Sequence, residues 1–168
     1  MGKIIEAFWN ICRFKIGPQD LPASSFLMLV SMLGYAIISV LVGLMDLKPV
    51  FAVLSGILDV ALVAAMTQLL LWIKDMGGRF MQTFTALMGT GAILGVVAVP
   101  LLLIQMQIGD QVTFLPKVFI IALTIWNLAI VGHILRHAIS APFYVGVLLA
   151  VVYMYVSVSV MRSLFISS

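Results

Sequence analysis

One acid interrupts a long apolar run. Residues 49–73, PVFAVLSGILDVALVAAMTQLLLWI, carry a single ionisable side chain, Asp59. Charged in the middle of a membrane span, such a group costs about 2.5–3.5 kcal/mol on translocon scales, so it must face protein or water rather than lipid. Two further polar groups fall at a similar depth. With a rise of about 1.5 Å per residue, Asp59 lies roughly 15 Å into its span, Thr90 roughly 15 Å into the next and Asn127 roughly 18 Å into the one after. A carboxyl, a hydroxyl and an amide in one layer suit two kinds of chemistry. One is a proton or cation site, with Asp59 as the acid and Thr90 and Asn127 as hydrogen-bond partners. The other is a structural hydrogen bond that fixes helix register, typically about 0.6 kcal/mol in membrane bundles. Sequence leaves both open.

Other constellations carry less. His133 and His137 are four residues apart with Arg136 between them, but a metal site needs more ligands and no Cys, Asp or Glu lies near in sequence. No metal or cofactor is expected. Gly89, Gly91 and Gly95 give one span a small face, which lets helices approach closely within a bundle or between two copies. The methionines are scattered and suit core filling. No Gly-x-Ser-x-Gly, His-Glu-x-x-His or P-loop occurs, so no enzyme is expected. The single cysteine, Cys12, forms no intramolecular disulfide.

These residues need helices to position them, and composition says where. Of 168 residues, 64% are hydrophobic and 9% charged. A soluble domain has about 25% charged residues, so this chain cannot cover a water-facing surface. The expected fold is all-α, a polytopic bundle with five spans at about 24–45, 49–73, 80–108, 115–136 and 143–165. The span from 80 contains glycines and Pro100, which predicts a tilt or kink, or a re-entrant piece. Asp46-Leu47-Lys48-Pro49 makes spans one and two a tight antiparallel pair, and Gly109-Asp110-Gln111 turns the chain between spans three and four.

Residues 1–16 form a separate element. Ile4, Ile5, Phe8, Trp9, Ile11 and Cys12 recur at helical spacing opposite Lys3, Glu6, Asn10 and Arg13. The segment is too short and too charged to cross. It is expected flat on the membrane, anchored by Phe8 and Trp9 with Lys3 and Arg13 toward headgroups, or docked on the cytoplasmic end of the bundle. Gly17-Pro18 is expected to stop it. The first 20 residues lack an uninterrupted apolar stretch of the kind a cleavable signal needs. With the N-terminus in the cytoplasm, inner segments hold Lys3, Arg13, Lys15, Lys74, Arg79 and Arg136, and outer ones hold Lys48, Lys117 and Arg162. Six against three favours N-in and C-out.

Three short stretches carry a family likeness: Gly17-Pro18-Gln19-Asp20-Leu21-Pro22 before the first span, Phe80-Met81-Gln82-Thr83-Phe84 opening the third, and Ile125-Trp126-Asn127-Leu128 with Gly132-His133 in the fourth. With five close-packed spans and short loops, the layout resembles the Yip1-type five-span membrane proteins, in a compact, bacterial-like form without the long polar N-terminal region of the trafficking members. The resemblance implies a non-enzymatic adaptor. The expected function is therefore a scaffold or accessory subunit of a bacterial inner membrane, associating with lipids and with other membrane proteins or itself. The alternative is a small proton- or cation-coupled transporter using Asp59. The net charge of +3 gives no case for nucleic acid.

Overall fold

The computed structural model describes residues 2–108 and 114–165. Six helices account for most of this: α1 (Gly2–Cys12), α2 (Ser25–Gly43), α3 (Pro49–Ile73), α4 (Phe80–Ile108), α5 (Phe114–Ala138) and α6 (Phe143–Phe165), with no strand among the described residues. Helices α2 to α6 are each long and apolar enough to cross a membrane, and the chain is a polytopic membrane protein. The observed spans match the expected ones to within two residues at each end. Ser24 caps α2, its Oγ accepting from the Leu27 amide at 3.4 Å. The third span is one continuous helix with Pro100 inside it, not a re-entrant piece. The expected turn at Gly109-Asp110-Gln111 lies outside the described residues.

Helix α4 is the hub. It packs on α2, α3 and α5, and α1 also lies against it. Eight consecutive residues, Thr83 to Thr90, are buried. A helix buried on every face needs small side chains and no orphaned polar groups. The threonines meet both conditions, because each hydroxyl bonds back to its own helix: Thr83 to Arg79 O, Thr85 to Met81 O and Thr90 to Ala86 O, at 2.6–2.9 Å.

Glycines set the close crossings. A Cβ on Gly91 would lie 2.6 Å from the Tyr35 ring, and one on Gly95 would run into Ile38, so both admit α2. Gly89 admits the Phe8 ring of α1. The three glycines are thus taken up by contacts within the chain, two with α2 and one with α1. The tightest crossing was not expected. At α5–α6, a Cβ on Gly146 would meet the Gly132 carbonyl, and one on Gly132 would lie 3.1 Å from the Val147 backbone. Gly43 and Gly56 similarly close the α2–α3 hairpin on Ala52, Ser55 and Val40.

Three helix ends share one solution. Phe14, Asp75 and Ser140 have φ of 60°, 55° and 52°. In each case the next amide bonds five residues back: Lys15 to Asn10 O, Met76 to Leu71 O and Ala141 to Arg136 O, at 2.8–2.9 Å. These are Schellman closures, and all three lie at the same end of the bundle. The first corrects an expectation. Helix α1 stops at Cys12, not at Gly17-Pro18, because Phe14 turns left-handed with its ring edge-on to His133, 5.3 Å between centroids.

The position of α1 answers to the second of its two expectations, docking on the bundle. Phe8 is buried and packs on Gly89, so it anchors the helix to protein and not to the membrane surface. Ile11 and Cys12 are buried beside it. Trp9 is half-exposed and meets Trp126 edge-on, with centroids 6.3 Å apart. Arg13 is exposed. The Lys3 side chain lies outside the described set. The helix is docked on α4 and α5.

Candidate functional site

All five spans line one half-enclosed cavity of about 500 Å³. Leu87, Met88 and Val131 line it on the side toward the α1 end. It extends toward the end opposite α1, past Gly95, Ala98 and Leu102. Asp59 lies in its wall.

The carboxylate has three hydroxyl donors from two neighbouring helices. Tyr35 Oη donates to Oδ2 at 2.7 Å, Ser39 Oγ to the same oxygen at 3.2 Å, and Ser157 Oγ to Oδ1 at 3.3 Å. Tyr35 and Ser39 are four residues apart on α2, so they share a face and arrive together. Gly91 leaves the space into which the Tyr35 ring fits. Helix α6 repeats the pattern with Tyr153 and Ser157. The Tyr153 hydroxyl lines the same cavity, is buried, and has no hydrogen-bond partner among the described residues. An ionised carboxylate only accepts hydrogen bonds, so hydroxyl donors suit it, and the free Tyr153 hydroxyl leaves one donor for an occupant.

The expected polar layer is partly assembled. Asp59, Thr90 and Asn127 all line the cavity. Thr90 does not reach Asp59, because its hydroxyl is held by Ala86 O at 2.7 Å. Asn127 lines the wall without bonding to Asp59. The donors that do bond, Tyr35, Ser39 and Ser157, were missed. Their signal was present: Tyr-x-x-x-Ser occurs at 35–39 and, in two overlapping registers, at 153–157 and 155–159, each time inside an apolar span.

Polar groups at the opposite end hold the N-terminal segment. Trp126 Nε1 donates to Cys12 O at 3.0 Å, His133 Nε2 lies 3.0 Å from Ile16 O, and Gln82 Nε2 donates to Leu21 O at 2.7 Å and to Gln19 O at 3.2 Å. The segment at 17–22 thus packs against both α4 and α5. His133 and His137 stack edge-on at 4.6 Å, and among the described residues no three His, Cys, Asp or Glu side chains cluster. Burial pushes the Cys12 thiol up to about 11.

No family model, no curated protein and no solved structure matches this chain.

Proposed function

We propose that this protein is a small carrier or binding protein of the membrane that holds a proton or a cationic group on Asp59. One observation carries the reading: a carboxylate with hydroxyl donors from α2 and α6 sits in the wall of a cavity shared by all five spans. A merely structural aspartate needs its hydrogen bonds but not the adjoining space. The lining is mostly apolar, so a matching organic ligand is small and apolar with one cationic or hydrogen-bonding group. In a low-dielectric cavity a single charge pair is strong enough to select such a group.

The scaffold reading rests on exposed apolar faces and on the Yip1-type resemblance. Lipid covers such faces equally well. The distribution of Lys and Arg supports α1 in the cytoplasm and the C-terminus outside, while placement in a bacterial inner membrane rests on the resemblance alone. The cavity then opens toward the outer half of the bilayer.

Two measurements on purified protein test the reading. One is binding of a lipophilic cation, tetraphenylphosphonium, in detergent. The other is proton flux into phosphatidylcholine vesicles, followed with an internal pH dye. Wild type is expected to bind or conduct, and Asp59→Asn to lose about tenfold or more while keeping its melting temperature. Absence of both activities in wild type, or equal activity in Asp59→Asn, would overturn the proposal.

A further inference from the structure

A second cavity, of about 420 Å³, lies at the α1 end, lined by Gln19, Arg79, Arg136, His137, Ser140 and Ala141. It is separate from the Asp59 cavity in residues, location and charge. Two guanidinium groups and an imidazole face it, and none of the six lining side chains is acidic.

The two arginines are held in different ways. Arg79 Nη1 donates to His137 O at 3.3 Å, to Ala138 O at 3.0 Å and to Ser140 Oγ at 2.9 Å. This covers the carbonyls at the α5 C-terminus, whose negative dipole end would otherwise repel an anion. It also fixes the guanidinium at the cavity while leaving Nε and Nη2 without a partner among the described residues. Arg136 lies over the Phe143 ring at 5.5 Å, and its Nε is buried with no hydrogen-bond partner among those residues. Neither arginine forms an ion pair among the described residues. Asp20, an acid close enough to act electrostatically on His137, accepts from the Gly17 amide at 2.8 Å. A buried guanidinium N–H without an acceptor is costly, and a cavity beside it offers the means of satisfying it.

We propose that this cavity binds a phosphate-bearing anion through Arg79 and Arg136, with His137 and Ser140 completing the site. Arginine forks match phosphate oxygens in number and plane. The cavity sits where helices end, at the level where lipid phosphates lie, and basic pockets between spans are a known setting for anionic headgroups. The ligand chemistry is shared by an anionic phospholipid and a soluble phosphate.

Purified protein in a neutral detergent separates the sources. Melting temperature is followed during titration with phosphatidylglycerol, with diacylglycerol as the phosphate-free control, and with inorganic phosphate in a separate series. Phosphatidylglycerol is expected to raise it and diacylglycerol not to, which assigns a lipid. A rise with inorganic phosphate at equal concentration assigns a soluble phosphate instead. Arg136→Gln is expected to weaken the midpoint by about tenfold. Because Arg136 also packs on Phe143, native mass spectrometry of wild type supplies a second measure, with one phosphatidylglycerol retained against a phosphatidylcholine excess. Response to neither phosphate compound, or an unchanged midpoint in both Arg136→Gln and Arg79→Gln, would overturn the proposal.

Discussion

The two ends of this bundle differ in how their helices are filled in. At the α1 end, α4 is buried continuously from Thr83 to Thr90 and α5 is almost entirely buried from Ile130 to Leu135. Toward the far end, no described residue of α4 after Leu94 is buried, and none of α5 before Ile130. Hydropathy does not separate them, since both are apolar. Side-chain size and crossing geometry do. Close crossings at Gly132–Gly146 and Gly89–Phe8 bring α5, α6 and α1 together at one end. Helices that cross tightly at one end diverge toward the other, and the Asp59 cavity occupies that divergence. The far end is not loose throughout: Gly43 and Gly56 keep the α2–α3 hairpin closed. The space lies between that hairpin and α4, α5 and α6. One end thus acts as a clamp and the other as a receptacle.

The clamp should break at Gly146. A side chain there would meet backbone, the Gly132 carbonyl, which has no rotamer to yield. Gly146→Val is expected to cost about 3 kcal/mol, the upper part of the overpacking range, and to lower the melting temperature in detergent more than substitutions at Asp59, Trp126 or Ala98. An unchanged melting temperature would mean that the α5–α6 crossing is not what holds this end.

At the receptacle, Asp59→Leu removes the acceptor of three hydroxyls without creating a clash. Serines in helices can turn back to their own carbonyls, which limits the loss. The expected cost is about 1–2 kcal/mol. A double-mutant cycle of Asp59→Leu with Tyr35→Phe measures the 2.7 Å bond directly. Strict additivity would show that the bond contributes nothing.

Docking of α1 supplies a smaller effect. Trp126→Phe deletes the bond to Cys12 O and should cost about 1 kcal/mol. Because Cys12 is buried under that bond, its alkylation rate should rise by about fivefold as α1 opens more often. An unchanged rate would detach Trp126 from the docking. The thiol also gives docking a pH dependence. Its value moves from 9.0 to about 11 on burial. Folding therefore favours the neutral thiol, and this stabilisation is complete below the unfolded value of 9.0 and is lost as pH rises toward about 11. The melting temperature of wild type should fall over that window more than that of Cys12→Ala.

Much of this architecture was legible in the sequence. The apolar run lengths gave the five spans, and Pro49 and the loop residues gave most of their ends, because each of these signals is local. Asp59 was legible for the same reason: a lone acid in an apolar run has few places to point. Its partners were not, because depth along a helix does not say which face a residue occupies. Thr90 has the right depth and spends its hydroxyl on Ala86 O. Tyr35 and Ser157 lie on the facing sides of α2 and α6, and only the repeated Tyr-x-x-x-Ser spacing hinted at it. Amphipathicity showed that α1 has an apolar face but not that protein covers it. Nothing in the sequence distinguished Gly132 and Gly146 from the other glycines, since a crossing point depends on two helices at once.

The sharpest separation of clamp from receptacle comes from adding volume where space exists. Ala98 lines the Asp59 cavity on α4, about two turns beyond Gly91 and about one turn beyond the Gly95–Ile38 contact. Ala98→Leu adds a branched side chain to the cavity without displacing backbone. Stability should change by less than about 0.5 kcal/mol, against the large loss at Gly146 from a side chain of similar size. Binding of tetraphenylphosphonium should nevertheless fall by about tenfold, because the added atoms occupy the ligand's space and leave Asp59 untouched. A large loss of stability would show that this end is packed as tightly as the other. Unchanged binding with unchanged stability would move the ligand elsewhere and leave Asp59 a purely structural acid.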